Sequence, residues 1–183
     1  MKDISYHILD IARNSLNAGA NLIEISIMEN NDTGELILKI RDNGHGMTED
    51  MLKKITDPFF TTSSTKKVGL GLALLKQNAE QTGGRLWIES ERNRSTSVTA
   101  LFHQFHIDMI PEGDLAMTFR SLIASNPEID FLYRHRADEG EFILDTAEIR
   151  TELEGISLNA REVLDYITDY IRENLKVLKI KEV

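Results

Sequence analysis

Three polar side chains near the start of the chain, Asp10, Asn14 and Asn17, are spaced by four and then three residues. In a helix that spacing places them on one face. One carboxylate and two amides offer hard oxygen atoms, the donors that a hydrated Mg²⁺ accepts while it bridges phosphates. Read alone, the same spacing also describes an ordinary solvated helix face. A second group is Asp42-Asn43-Gly44-His45-Gly46. A carboxylate fixed at a strand end can accept a hydrogen bond from an exocyclic amine such as that of adenine. The glycines permit positive φ and a close approach of backbone to ligand. Alone, this segment is equally an Asp-Asn-Gly turn. The third group, Gly69-Leu70-Gly71-Leu72, opens a helical pattern. Unpaired N–H groups at a helix start form an anion site, and Lys66 and Lys67 just before it add positive charge. A lone G-x-G is also a tight loop-to-helix entry.

The elements that must position these groups follow from periodicity. Residues 3–18 are expected to form a helix whose second face, Ile4, Ile8, Ile11 and Ser15, packs on a sheet. Residues 22–29 and 35–41 alternate apolar and polar around the turn cluster 30–34, an antiparallel hairpin. Thr48 can cap a short helix through Ile55, 57–67 is a loop, and a helix over 69–81 ends at Gly83-Gly84. Residues 85–91 and 96–103 are two further strands. Beyond His103, a helix over 112–125, a hairpin of 130–136 with 141–145, and a helix capped by Asn159 and running to about Leu178 make an α-β-β-α part.

Charge is unevenly spread along the 183 residues. Residues 1–103 carry 12 Lys and Arg against 13 Asp and Glu, whereas residues 104–183 carry 9 against 17. The acidic second part argues against non-specific binding to nucleic acid or to an anionic membrane. The chain has no cysteine, which excludes disulfides and thiolate chemistry and is compatible with a cytoplasmic location. No signal peptide and no stretch of about 18 apolar residues is evident.

The motifs, in this order, resemble the GHKL ATPase family of histidine kinases, type II topoisomerases and DNA mismatch-repair ATPases. Asp10 to Ala20 resembles the N box, particularly its mismatch-repair version. Asp42 to Gly46 resembles the G1 box, and Asp57-Pro58-Phe59-Phe60-Thr61-Thr62 the F box of histidine kinases. Gly69 to Leu72 resembles the G2 box, and the run Gly83 to Ser90 is also similar to histidine kinases. The resemblance covers about residues 3–103. It implies an α+β Bergerat-type two-layer sandwich with a mixed, mainly antiparallel sheet, here with the α-β-β-α part appended. ATP and Mg²⁺ are the implied cofactors, with Asn14 holding the metal and Asp42 the adenine amine. Gly44 and Gly46 would wall the base, and Asn17 would lie near the phosphates or their metal. Gly69, Leu70, Gly71 and Leu72 would face the phosphates under a mobile lid of Thr61–Lys67, to which Thr61, Thr62 and Lys67 contribute ligand contacts.

Two departures stand out. Asp10 occupies the place where hydrolysing relatives carry a water-orienting Glu, and the resemblance implies that this shorter carboxylate would orient water in its stead. Lys67 replaces the first glycine of the usual G-x-G-x-G, where it would be expected to restrict the lid or to contact a phosphate. The N-box resemblance begins so early that a preceding phospho-acceptor hairpin is not expected, and His7 is expected to be structural or on the surface. The expectation is therefore a kinase or kinase-like regulator acting in trans on an unidentified protein partner or phospho-acceptor. A slow ATPase switch and a non-catalytic nucleotide sensor are the alternatives. Residues 1–103 are expected to form the ATP-binding domain and 104–183 an acidic partner-binding or regulatory part. His103 and His106 form an H-x-x-H pair with no third ligand in the sequence, so zinc is not expected there.

Overall fold

In the computed structural model, residues 3–55, 70–137 and 140–180 are described. The family resemblance led to a two-layer α+β sandwich, and the described chain has that form. Helix α1 (Ile4–Asn17) leads into the hairpin β1 (Leu22–Asn30) and β2 (Glu35–Asp42), then the single-turn α2 (Glu49–Leu52). Helix α3 (Leu70–Gln81) precedes the hairpin β3 (Arg85–Glu91) and β4 (Ser95–His103). After these come α4 (Leu115–Ser125), β5 (Asp130–Ala137), β6 (Gly140–Asp145), α5 (Thr146–Glu152) and α6 (Arg161–Ile180).

All six strands lie in one sheet, in the order β3-β4-β2-β1-β5-β6. Every neighbouring pair is antiparallel except β1 with β5, which run parallel with Ile23 opposite Phe131 and Ile27 opposite His135. The strands of residues 104–183 therefore continue the sheet begun by residues 22–103, and backbone hydrogen bonds run across the join. Period-two alternation sends one set of side chains inward: Ile25 faces Ile40, which faces Val98 across the next ladder. The opposite face keeps Lys39, Arg41 and Arg134 exposed.

Helix α1 lays Ile4, Ile8, Ile11 and Ser15 on the inner face, the stripe its spacing requires. Asp3 caps it by accepting from Tyr6 N–H at 2.7 Å. Its first free N–H groups donate to carbonyls of a distant segment, Ile4 to Pro111 O at 3.0 Å and Ser5 to Glu112 O at 2.9 Å. Those bonds explain why the fourth helix starts later than periodicity suggests. Residues 111 and 112 are engaged with α1, and Gly113 turns at φ +80° against Asp3 and Ser5. Asp114 then caps α4 through Met117 N–H at 2.9 Å.

Two further differences lie at the C-terminal side. The short α5 was not expected from the sequence. Asp145 caps it through Ala147 N–H at 2.9 Å, and Arg150 pins it by donating to Asp130 at 2.7 Å. Seven residues are too few to display an amphipathic period. The last helix begins at Arg161 rather than under an Asn159 cap, since Leu164 N–H closes its first turn on Ala160 O at 3.0 Å. Ile167 and Ile171 of α6 are fully buried, and Arg120 of α4 ties the two helices by donating to Asp165 at 2.7 Å.

Phe119 of α4 is fully buried and packs on Tyr133 of β5 with ring centroids 4.3 Å apart. Phe119→Ala should destabilise the protein by about 3–5 kcal/mol through lost transfer energy and the cavity left behind. Urea unfolding of the two proteins measures the difference, and a loss below about 1 kcal/mol would mean that α4 collapses into the gap.

Candidate functional site

The centre of the site is Asp42, the last residue of β2, with 7% of its surface exposed. Burying a carboxylate requires hydrogen bonds to it. Here Ser15 of α1 donates its hydroxyl to Oδ2 at 2.7 Å, and Gly44 donates its N–H to Oδ1 at 2.9 Å. Each oxygen retains lone-pair capacity for a further donor, so the carboxylate is positioned to accept from a ligand amine. Asn43 does not face this centre. Its Oδ1 accepts from Asn21 and Leu22 N–H, both at 3.0 Å, which anchors the loop to the start of β1.

The two glycines of this loop are required by packing. A Cβ on Gly44 would come within 2.9 Å of Ala18 Cβ at the end of α1. Gly46, at φ +63°, rests against the backbone of Glu91, where a Cβ would collide with Glu91 O. The loop is thus wedged between α1 and the β3–β4 turn, and His45 fastens both sides through Ala18 O at 2.9 Å and Asn93 N–H at 2.6 Å.

Along the same helix, Asn14 and Asn17 are exposed and Asp10 is half-buried. None of the three is spent in the core. Asp10 turns toward α3: a Cβ added to Gly71 would collide with Asp10 Oδ2. The absent side chain is what lets the start of α3 lie against that carboxylate. Leu70 is largely exposed, whereas Leu72 is buried, so Leu72 can offer a ligand only its backbone. Asn78 of α3 bonds His7 of α1 at 2.8 Å and fixes how the two helices cross. His7 is fully buried, a structural residue. Asp10, Asn14, Asp42, Gly44 and Gly71 are therefore gathered around one helix. Thr61, Thr62, Lys67 and Gly69, with the lid they were expected to form, lie outside the described residues.

Sequence reasoning placed Ser15 on the sheet-packing face and missed its contact with Asp42. A signal existed, because Ser15 is the one polar position on a stripe otherwise made of Ile4, Ile8 and Ile11. The H-x-x-H pair gains no third ligand: His106 neighbours Asp108 at 3.6 Å, and neither joins a metal-sized cluster among the described residues.

Residues 2–106 match the family described as histidine kinase-, DNA gyrase B-, and HSP90-like ATPase, and the chain belongs to that family. It is 38% identical over 92 residues to sporulation kinase D of Bacillus subtilis, covering 50% of this chain and 18% of that protein. It is 32% identical over 97 residues to sporulation kinase E of the same organism, covering 52% and 13%. Sensor protein kinase WalK of Staphylococcus haemolyticus is 31% identical over 101 residues, covering 52% and 16%. The chain thus spans less than a fifth of these relatives. The crystal structure of the N-terminal domain of a DNA repair protein shares the fold, with a TM-score of 0.55 at 16% identity, over 79% of this chain and 53% of that one. A match over 79% of the chain extends well past residue 106, so the shared fold includes part of residues 107–183. Residues 2–106 are an ATP-binding domain of the histidine-kinase type.

Ser15→Ala removes one of the two donors to a buried carboxylate and should cost about 1.5–3 kcal/mol of stability, the range for hydrogen bonds to charged groups. Denaturant titration reads it directly. Unchanged stability would mean that Asp42 is held without Ser15.

Proposed function

We propose that this chain binds ATP with Mg²⁺ and passes the γ-phosphoryl group to a partner protein in trans. The observation that carries the reading is the arrangement along α1. Ser15 fixes the buried Asp42 at one place on the helix, Asn14 and Asn17 stand exposed beside it, and Asp10 meets the start of α3 at Gly71. An adenine amine would donate to Asp42, while Gly44 and Gly46 shape the wall beside the base. Asn14 would hold the metal, with Asn17 near the phosphates. Gly71 leaves room at a helix N-terminus, where N–H groups and the helix dipole favour phosphate. The residues present suit both cofactors: a buried acceptor for the base, and exposed oxygen donors for a hydrated hard cation.

Transfer to a separate acceptor is supported by His7, the histidine of α1, which is fully buried and bound to Asn78. Kinase chemistry is supported by the likeness to the sporulation kinases. Residues 104–183, with their excess of acidic groups, are the part we assign to partner binding or regulation, and we assign the protein to the cytoplasm. Among the described residues no helix is long and apolar enough to cross a membrane. A slow ATPase switch is the second reading, favoured by Asp10 lying against Gly71 at the start of α3, where a carboxylate would orient water toward a phosphate bound at that helix start.

Incubation with γ-labelled ATP and Mg²⁺, alone and with cell lysate, separates these outcomes. Label on another protein is expected. Free phosphate without labelled protein would replace the kinase with the ATPase, and neither product would leave nucleotide sensing.

Asp42→Asn should weaken ATP binding by about 1.5–3 kcal/mol, because the amide loses the charge that strengthens the bond to the base. Calorimetry on the folded variant checks this, and unchanged affinity would remove the adenine role from Asp42. Asn14→Ala should leave thermal melting unchanged, since the side chain is exposed, and abolish Mg²⁺-dependent turnover. Full activity in that variant would contradict the metal assignment.

A further inference from the structure

The inner face of the sheet meets the helices, and their buried residues join those of the strands in one core. The outer face stays open: Met28, Trp87 and Ile143 are 39%, 37% and 44% exposed. Strand register lays this face out in rows. One row runs Arg85 of β3, Leu101 of β4, Ile37 of β2, Met28 of β1 and Arg136 of β5, each opposite the next. Two residues along the strands, a second row has Trp87 of β3 and Ile143 of β6 at its ends, with Lys39 of β2 and Arg134 of β5 between them. By strand spacing, β3 and β5 stand about 19 Å apart and the two rows about 7 Å apart. Half-buried Leu101 and Ile37 beside exposed Met28 make an apolar band. Exposed cationic groups stand at both ends of it and along one side.

We infer that this face docks an acidic amphipathic segment of a partner protein. Its apolar residues would lie on the band of Leu101, Ile37 and Met28, and its carboxylates on Arg85, Lys39, Arg134 and Arg136. The first argument is charge. The chain carries 30 acidic side chains against 21 Lys and Arg, so a cation finds a carboxylate easily. Elsewhere the arginines do, as Arg41 with Glu24, Arg120 with Asp165 and Arg150 with Asp130. Among the described residues Lys39, Arg134 and Arg136 form no ion pair. Arg85 lies over the ring of Trp87, 5.3 Å from its centroid, which holds its guanidinium in place. The two rows present these four cations and one carboxylate, Glu141 opposite Arg136. Such a field orients a complementary partner, while the apolar band and Trp87 supply burial.

The second argument is what the face excludes. A second copy laid face to face would set like charges against each other. A nucleic acid or an anionic membrane meets the field of the whole chain, whose net charge is −9. The next row along the strands also holds Glu89 of β3 and Glu24 of β1, which repel a continuous polyanion. Single-stranded nucleic acid stacks successive bases on aromatic rings, and the two rows offer Trp87 as their single aromatic side chain. A short segment with a few carboxylates reaches the four cations and avoids those acids.

The face is built by both parts of the chain. Arg85 and Lys39 belong to the ATP-binding residues, whereas Arg134, Arg136 and Ile143 belong to the strands after residue 103. It lies on the side of the sheet away from α1, so an occupant leaves Asp10, Asn14 and Asn17 uncovered. The inference stands on the sheet alone and is independent of phosphoryl transfer.

Trp87 is the single tryptophan of the chain, so its emission reports occupancy of this face. A library of random peptides of about 16 residues, which as helices span about 24 Å, is selected on the full chain without nucleotide. Enriched peptides should combine Asp or Glu with Leu, Ile or Phe and shift Trp87 emission to the blue. Their affinity should fall with added salt and at least tenfold in the double variant Lys39→Glu with Arg134→Glu. Arg161→Glu on α6 should leave it unchanged. If the double charge reversal does not fold, Lys39→Gln with Arg134→Gln replaces it, since both side chains are exposed. Three results would each overturn the inference: no enrichment of acidic peptides, peptides bound equally by the folded double variant, or an oligothymidylate or phosphatidylserine vesicles shifting Trp87 emission at lower concentration than the peptides.

Discussion

A carboxylate shut away from water costs several kcal/mol unless its lone pairs are filled. Asp42 meets that constraint with a hydroxyl from α1 and an N–H from its own loop. Both donors impose conditions on the rest of the fold. Ser15 reaches Asp42 only if α1 lies across β2 with its apolar stripe inward. Gly44 donates only if the loop turns back beneath Ala18, where a side chain would not fit. His45 and Gly46 then extend the same loop against the β3–β4 hairpin. One buried charge therefore fixes the relation among a helix, a central strand and an edge hairpin.

Helix α1 is the mechanical centre of the molecule. Its inner face is core, its C-terminal half carries Asn14 and Ser15, and Asn78 and Gly71 bring α3 against it. Its N-terminus is closed by carbonyls of residues 111 and 112. Those residues lead into α4, which packs through Phe119 onto β5. Residues after 103 are consequently connected to Asp42 and its loop in two ways, through the continuous sheet and through the first turn of α1. A displacement at the first turn of α1 therefore has a short physical route to Asp42 along this helix.

The acidic part also changes character once folded. Its excess of carboxylates reads along the chain as a uniform negative field, yet Asp130 and Asp165 are committed to arginines. Asp114 and Asp145 cap helices. Glu112 instead turns inward beside His135. Composition counts these groups alike, whereas their roles depend on the partner each meets.

What the sequence determined by itself was local or motif-borne. Alternation in 22–29 and 35–41 and the stripe Ile4, Ile8, Ile11 specify strands and a helix face, because side-chain periodicity is set by backbone geometry alone. The order of N, G1, F and G2 resemblances named the family, and with it the ATP-binding half. A seven-residue helix capped by Asp145 was too short to leave a period, and the start of α4 was moved by hydrogen bonds to residues 107 positions away along the chain. Only the tertiary structure decided that Ser15 serves Asp42, since 27 residues separate them and nothing local links a helix serine to a strand end. The same holds for β5 entering the sheet parallel to β1, more than a hundred residues after it, which is what brings His135 to Glu29. Sequence fixes which groups a chain can offer, and long-range backbone pairing decides which of them meet.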